Sequence, residues 1–128
     1  MRIKKASRVL TRRYDHALKP TGATGAQFTV LVHLHEGAGR SVSFLAQVLR
    51  MERTTLTRNL QVLEAKGWIR MGEEGFRRQR EIELSAEGSR VLRSGLPLWQ
   101  GVQKQLRQEL GEDWEHALGV LDHLARLD

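Results

Sequence analysis

No cysteine occurs among the 128 residues. Disulfides, thiolate zinc ligands and thiol-based sensing of peroxide are thereby excluded, and a cytoplasmic setting fits. Proline is scarce, at two residues. The longest apolar run, around residues 28–34, falls far short of the roughly 20 residues that cross a bilayer, so no membrane partner is expected. The basic start lacks the apolar segment of a secretory signal. There is no glycine-rich phosphate loop, no metal-ligand motif and no serine with evident His and Asp partners, so no enzyme activity is expected and no catalytic residue is assigned. Five histidines are present, but His33 and His35 are two apart in a helical stretch and face nearly opposite sides. His116 and His123 share a side yet lie roughly 10 Å apart along a helix, too far for one ion with bonds of about 2 Å. No metal ligand and no cofactor is therefore assigned; a metal-responsive regulator stands as an alternative, with a site assembled between helices.

Positive charge is what the chain has in excess. Its 21 Lys and Arg outnumber 15 Asp and Glu, for a net charge of +6. That balance favours a polyanionic partner. The charge is unevenly placed. Residues 1–20 hold seven basic residues against Asp15, and residues 108–128 hold six acids against Arg126. The two ends attract each other, within one chain or between two.

Apolar spacing predicts a mainly α chain with a small β-hairpin. Residues 2–18 read as a helix stopped by Pro20 and Gly22. Thr24 caps a second helix to about Glu36 that is apolar nearly all round, with Phe28, Leu31, Val32 and Leu34. Gly37 and Gly39 stop it. Ser43 is expected to cap a short third helix through Arg50, with Leu45, Val48 and Leu49 inward. Met51 and Glu52 make a turn, and a fourth helix runs from about Thr54, its expected N-cap, to Lys66, ending at Gly67. The period then changes to two. Ile69 and Met71 alternate with Arg70 and Gly72, and Ile82 and Leu84 with Glu81 and Glu83. One antiparallel register sets Ile69 opposite Leu84, Met71 opposite Ile82 and Arg70 opposite Glu83, so apolar and charged faces agree. The hairpin tip, residues 74–79, is long and basic. Ser85 caps a long helix carrying Leu92, Leu96, Trp99, Val102 and Leu106, with Pro97 expected to kink it. After Gly111 a last helix sets Trp114, Ala117, Leu118, Leu121 and Leu124 along one side.

The fourth helix carries the functional signal. Leu56, Leu60 and Leu63 form its apolar stripe, while Thr54, Thr57, Arg58 and Gln61 fall on the opposite side. That side offers hydroxyls, a guanidinium and a carboxamide without a carboxylate, groups that hydrogen-bond phosphates and base edges. Short helix, turn, helix and hairpin make a winged helix-turn-helix, whose second helix fits a major groove about 12 Å wide. The wing brings Arg77 and Arg78 toward a minor groove. The candidate DNA-binding residues are Arg53, Thr54, Thr55, Thr57, Arg58, Gln61, Arg77 and Arg78.

These segments resemble the MarR family of bacterial transcription regulators over nearly the whole chain. The likeness is carried by Thr11-Arg12-Arg13-Tyr14-Asp15 and Gln27-Phe28, by Val42-Ser43-Phe44-Leu45-Ala46, and by Arg53-Thr54-Thr55-Leu56-Thr57-Arg58. Leu63-Glu64-Ala65-Lys66-Gly67, Arg77-Arg78 and Ile82-Glu83-Leu84-Ser85-Ala86-Glu87-Gly88 continue it. Where the family typically carries an Asp that helps orient the wing arginine, this chain has Phe76. The resemblance implies a single domain over 1–128, with a DNA-binding winged helix at 24–88 and a helical dimerisation region from 1–20 and 89–128. It further implies a homodimer on double-stranded DNA, a repressor of a palindromic operator, and a small aromatic or phenolic effector with Tyr14 and the helix near Pro97 beside it. Winged helices also serve as protein-interaction modules without DNA; the basic wing and acid-free helix face argue against that here.

Overall fold

The structure is a computed structural model and describes residues 1–37, 41–74 and 80–127. Six helices and one hairpin follow in the order α1 (Arg2–Leu18), α2 (Gly25–His35), α3 (Val42–Leu49), α4 (Arg53–Ala65), β1 (Ile69–Glu74), β2 (Arg80–Leu84), α5 (Ala86–Leu110) and α6 (Asp113–Ala125). Between α1 and α2 a short 3-10 turn, Lys19–Thr21, ends at Gly22 with φ +80°. Thr21 makes that elbow rigid, because its hydroxyl donates to the Leu18 carbonyl at 2.7 Å and accepts from the Ala23 amide at 3.1 Å. Helix α2 then starts on a complete capping box. The Thr24 hydroxyl accepts from Gln27 N, and the Gln27 carboxamide accepts from Thr24 N.

Two expected caps move. Ser41, not Ser43, caps α3, its hydroxyl accepting from Phe44 N at 3.1 Å. The cause lies far away in sequence: Ser41 pairs as an isolated antiparallel bridge with Glu81 of β2, which holds it extended and starts the helix at Val42. The inward stripe is accordingly Val42, Leu45 and Ala46, with Leu49 half-buried, and Val48 points outward. At α4 the N-cap is Glu52, whose side chain makes no cap bond, and Thr54 stands second in the helix. The chain reaches that start through Arg50 in the left-handed region, φ 53°, with Met51 N bonded to Ala46 O.

The hairpin adopts the expected register, Ile69 with Leu84, Arg70 with Glu83 and Met71 with Ile82. A shift then sets Glu74 opposite Arg80, a bulge before the tip. Arg70 and Glu83 approach to 3.6 Å but both side chains are well exposed. Solvent screening leaves such a pair little weight. Helix α5 begins on Ser85, whose hydroxyl accepts from Gly88 N, and continues as one helix past Pro97.

Most of the buried apolar side chains gather in one core. Leu18, Phe28, Leu31, Leu45, Leu56, Leu60 and Leu63 are fully enclosed there, and Trp68, Ile69, Ile82, Val91 and Leu92 complete it. Each such leucine contributes about 1.5–3 kcal/mol from burial alone. A smaller cluster joins Val102, Leu106 and Trp114 to Leu10, Tyr14 and Ala17. Beside it Arg13 of α1 grips Glu109 of α5 through both carboxylate oxygens, at 3.0 and 2.9 Å. The attraction between the basic start and the acidic end is thus met at this point inside one chain, and the carboxylate raises the Arg13 pKa further above its ordinary value.

Candidate nucleic-acid interface

Helix α4 is anchored by Leu56, Leu60 and Leu63, all fully buried, and this fixes which side faces out. Thr54, Arg58 and Gln61 fall opposite that stripe and are exposed, flanked by exposed Thr55 and, at the helix start, Arg53. The helix cannot easily roll. Asn59 Nδ2 donates to Met51 Sδ at 3.7 Å, the Glu64 carboxylate accepts from Met71 N at 3.2 Å, and Lys66 Nζ donates to Gly22 O at 3.1 Å while lying 4.5 Å from the Trp68 ring centre. These ties connect α4 to the turn before it, the strand after it and the elbow behind α1. A helix held at three points presents its outward side chains with little motion, as base contact requires.

Thr57 stands apart from the rest of its expected group. It is half-buried, and its hydroxyl donates to Arg53 O at 2.8 Å. With its proton committed, the hydroxyl has only an acceptor to offer, whereas a phosphate oxygen needs a donor. Conversely, residues given no DNA-facing role from sequence lie beside the start of α4. Ser43 and Gln47 of α3 join Arg50, Glu52 and Arg53 around an open hollow of about 900 Å³. Periodicity marked only the buried side of α3; the left-handed Arg50, which swings its side chain to the rim, carries no such local signal. Arg77 and Arg78, with Phe76, lie outside the described residues.

A second concavity, of about 460 Å³, lies between α1, α2, α5 and α6. Tyr14 and Trp99 line it, their rings 4.2 Å apart, and Trp99 stacks in turn on Phe28 at 5.2 Å. Pro97 is not among its lining residues. Burial pushes the Tyr14 phenol above its ordinary pKa, opposed in part by a hydrogen bond from Gln103. Tyr14 is the chain's single tyrosine, so absorbance titration reads it alone. Its midpoint is expected above that of a free tyrosine amide; a midpoint at or below that reference contradicts the buried placement.

Apolar side chains of the terminal helices stand uncovered. Ile3 and Val9 of α1 and Leu118, Val120, Leu121 and Leu124 of α6 are exposed. A patch of this kind marks an interaction surface. Among the described residues no helix is long and apolar enough to cross a membrane, and no three His, Asp or Glu side chains gather as a metal set would require.

Comparison with known proteins places this architecture. The sequence profile of the MarR family matches residues 21–79. The M. tuberculosis transcriptional regulator MosR, in complex with DNA, is 36% identical over 97% of this chain and 90% of its own, with a TM-score of 0.89. The transcriptional repressor CouR of Rhodococcus jostii RHA1, bound to a 23-mer DNA duplex, is 27% identical over 97% of this chain and 89% of its own, with a TM-score of 0.84. The HTH-type transcriptional regulator YwoH of Bacillus subtilis is 24% identical over 88 residues, a stretch spanning 69% of this chain and 64% of that relative's length. Matched by the profile through its winged helix, and by MosR along nearly all of its length, the chain belongs to the MarR family of transcription regulators.

Proposed function

We propose that this protein is a cytoplasmic homodimeric repressor that binds a roughly palindromic operator and lets go of it when a small molecule enters the cavity beside Tyr14 and Trp99. In this reading residues 24–88 contact DNA, and residues 1–20 and 89–128 join the two subunits. The observation that carries it is the outward side of α4: Thr54, Arg58 and Gln61 exposed, free of carboxylates, on a helix fixed by three buried leucines. Arg53 and Thr55 assist at the helix start, Thr57 accepts rather than donates, and Ser43, Gln47 and Arg50 serve the phosphates around the hollow. From sequence alone, Arg77 and Arg78 are assigned to the backbone or minor groove. A two-fold axis sets half-sites about 10 base pairs apart. Ligand-dependent release is supported by CouR, described with DNA and also with p-coumaroyl-CoA.

Selection of bound duplexes from a random pool, at a fixed salt concentration, tests the whole reading. An inverted repeat supports it; recovery of no common sequence overturns it in favour of a protein-interaction module. Arg58→Ala is expected to cost about 1–3 kcal/mol on the selected site and to relax discrimination at one base position. Fluorescence anisotropy on specific and scrambled duplexes measures both, and an unchanged ratio removes Arg58 from base reading. Arg78→Ala is expected to weaken both duplexes evenly and to lower the salt slope by about one.

A further inference from the structure

The cavity assigned above to the effector has walls that discriminate by charge. We infer that it takes an uncharged, flat aromatic molecule and refuses carboxylates, an inference that rests on reading this cavity as the effector site. Its volume, about 460 Å³, suits a small ring system. Trp99 and Tyr14 provide an aromatic wall for stacked or edge-on contact. The polar side chains that line it are neutral: the hydroxyls of Ser7, Thr11 and Thr29 beside that of Tyr14, with no Lys, Arg or His. Thr29 has already given its proton to Gly25 O, at 2.9 Å.

The decisive feature is what occupies the start of α2. Gly25, the first residue of that helix, lines the cavity, and a helix start with its amides unpaired is a natural seat for an anion. Here the first amide of that seat is taken from within. Asp15 of α1 reaches across, and its carboxylate accepts from Gly25 N at 2.7 Å. A carboxylate is therefore bonded to the cavity lining at Gly25, and the Gly25 amide that would have received a ligand carboxylate is spent. An anionic ligand entering here loses water, meets no cation among the lining side chains and has the Asp15 carboxylate beside Gly25. A neutral ring of the same shape loses little hydration and keeps the aromatic contact and the hydroxyls. Of the basic residues on α1, Arg13 is held by Glu109, and Lys4, Lys5, Arg8 and Arg12 are exposed and outside the lining.

A pair of probes differing only in charge tests the inference: 2-naphthamide and 2-naphthoate at neutral pH. Binding to the full-length protein is followed by quenching of tryptophan fluorescence, with Trp99→Phe identifying the part of the signal that arises at the cavity rather than at Trp68 or Trp114. The amide is expected to bind at least about tenfold more tightly than the carboxylate. Asp15→Asn, which keeps an acceptor for Gly25 N, is expected to narrow that ratio severalfold by improving naphthoate. Equal or tighter binding of naphthoate by the wild-type protein overturns the charge assignment and leaves the cavity a binding site. No Trp99-dependent response to either probe overturns the cavity itself, as when a partner subunit's helix fills it. An Asp15→Asn ratio equal to the wild-type ratio removes Asp15 as its cause. DNA binding in the absence of added ligand, measured separately by anisotropy, is independent of all three outcomes.

Discussion

Glutamate at Leu118 and Leu124 together is expected to leave the protein monomeric and to weaken its operator complex by about 100-fold or more. Both leucines belong to α6, where they remain 37% and 44% exposed, and neither lines the cavity beside Tyr14. Full burial of an exposed leucine gains about 1.5–3 kcal/mol; these two, already more than half covered within the chain, gain only the remaining part from a partner, and a two-fold axis counts each twice. The replacement removes that burial from four side chains and places four carboxylates where the second copy would desolvate them. It does so at the acidic end of the chain, where residues 108–128 already hold six acids against one arginine, so repulsion adds to the loss. The effect on DNA follows from linkage: once one half-site is held, the second recognition helix binds at high effective concentration, and a monomer forfeits this. Sedimentation equilibrium reads the first effect and anisotropy on a palindromic duplex the second. A double variant that sediments as a dimer and binds like wild type would show that α6 is not the joining surface.

Gly88→Ala is expected to destabilise the fold by about 3 kcal/mol, lowering Tm by roughly 10 °C at constant protein concentration. In an ordinary helix this exchange stabilises by about 1 kcal/mol, because alanine loses less backbone entropy. Gly88, in the first turn of α5, is not an ordinary position. A Cβ there would stand 2.0 Å from the Trp68 carbonyl oxygen and 3.0 Å from its carbon. Both are backbone atoms, so no rotamer change relieves the clash. That same oxygen accepts from Ser85 N at 3.0 Å, the bond that joins the end of the wing to the start of α5. Either the bond opens or the helix start is displaced, and the overlap outweighs the entropic gain. Gly101, in the same helix, has no atom within 4 Å of its would-be Cβ and is expected to give the opposite sign with alanine, about 0.5–1 kcal/mol of added stability. Thermal unfolding of both variants compares them directly; an alanine at 88 that unfolds with or above wild type would mean the two backbones do not approach as described.

Much of the architecture was legible because it is written in local periods. The switch from a helical spacing to alternation at Ile69, the hairpin register and the caps Thr24 and Ser85 each depend on residues within a few positions, or on a pairing that one face alone can satisfy. The outward side of α4 followed from where Leu56, Leu60 and Leu63 had to go. The misplaced readings share one cause. Spacing points to Ser43 as the cap of α3 because nothing local marks Ser41, whose extended backbone is imposed by Glu81, forty residues away. Spacing points to Thr54 as the cap of α4 because the left-handed turn at Arg50, which brings the cap two residues earlier to Glu52, leaves no mark in composition.

The chain's own order of residues therefore settled the element types, the absence of thiol chemistry, the separation of charge between its ends and the polar side of α4, since each is a matter of composition or of spacing along one segment. Only the folded arrangement decided that Gly88 must stay small, that Thr57 has no proton to donate, and that Asp15 closes the start of α2. Those depend on steric contact and hydrogen bonding between groups whose meeting in space no local pattern encodes.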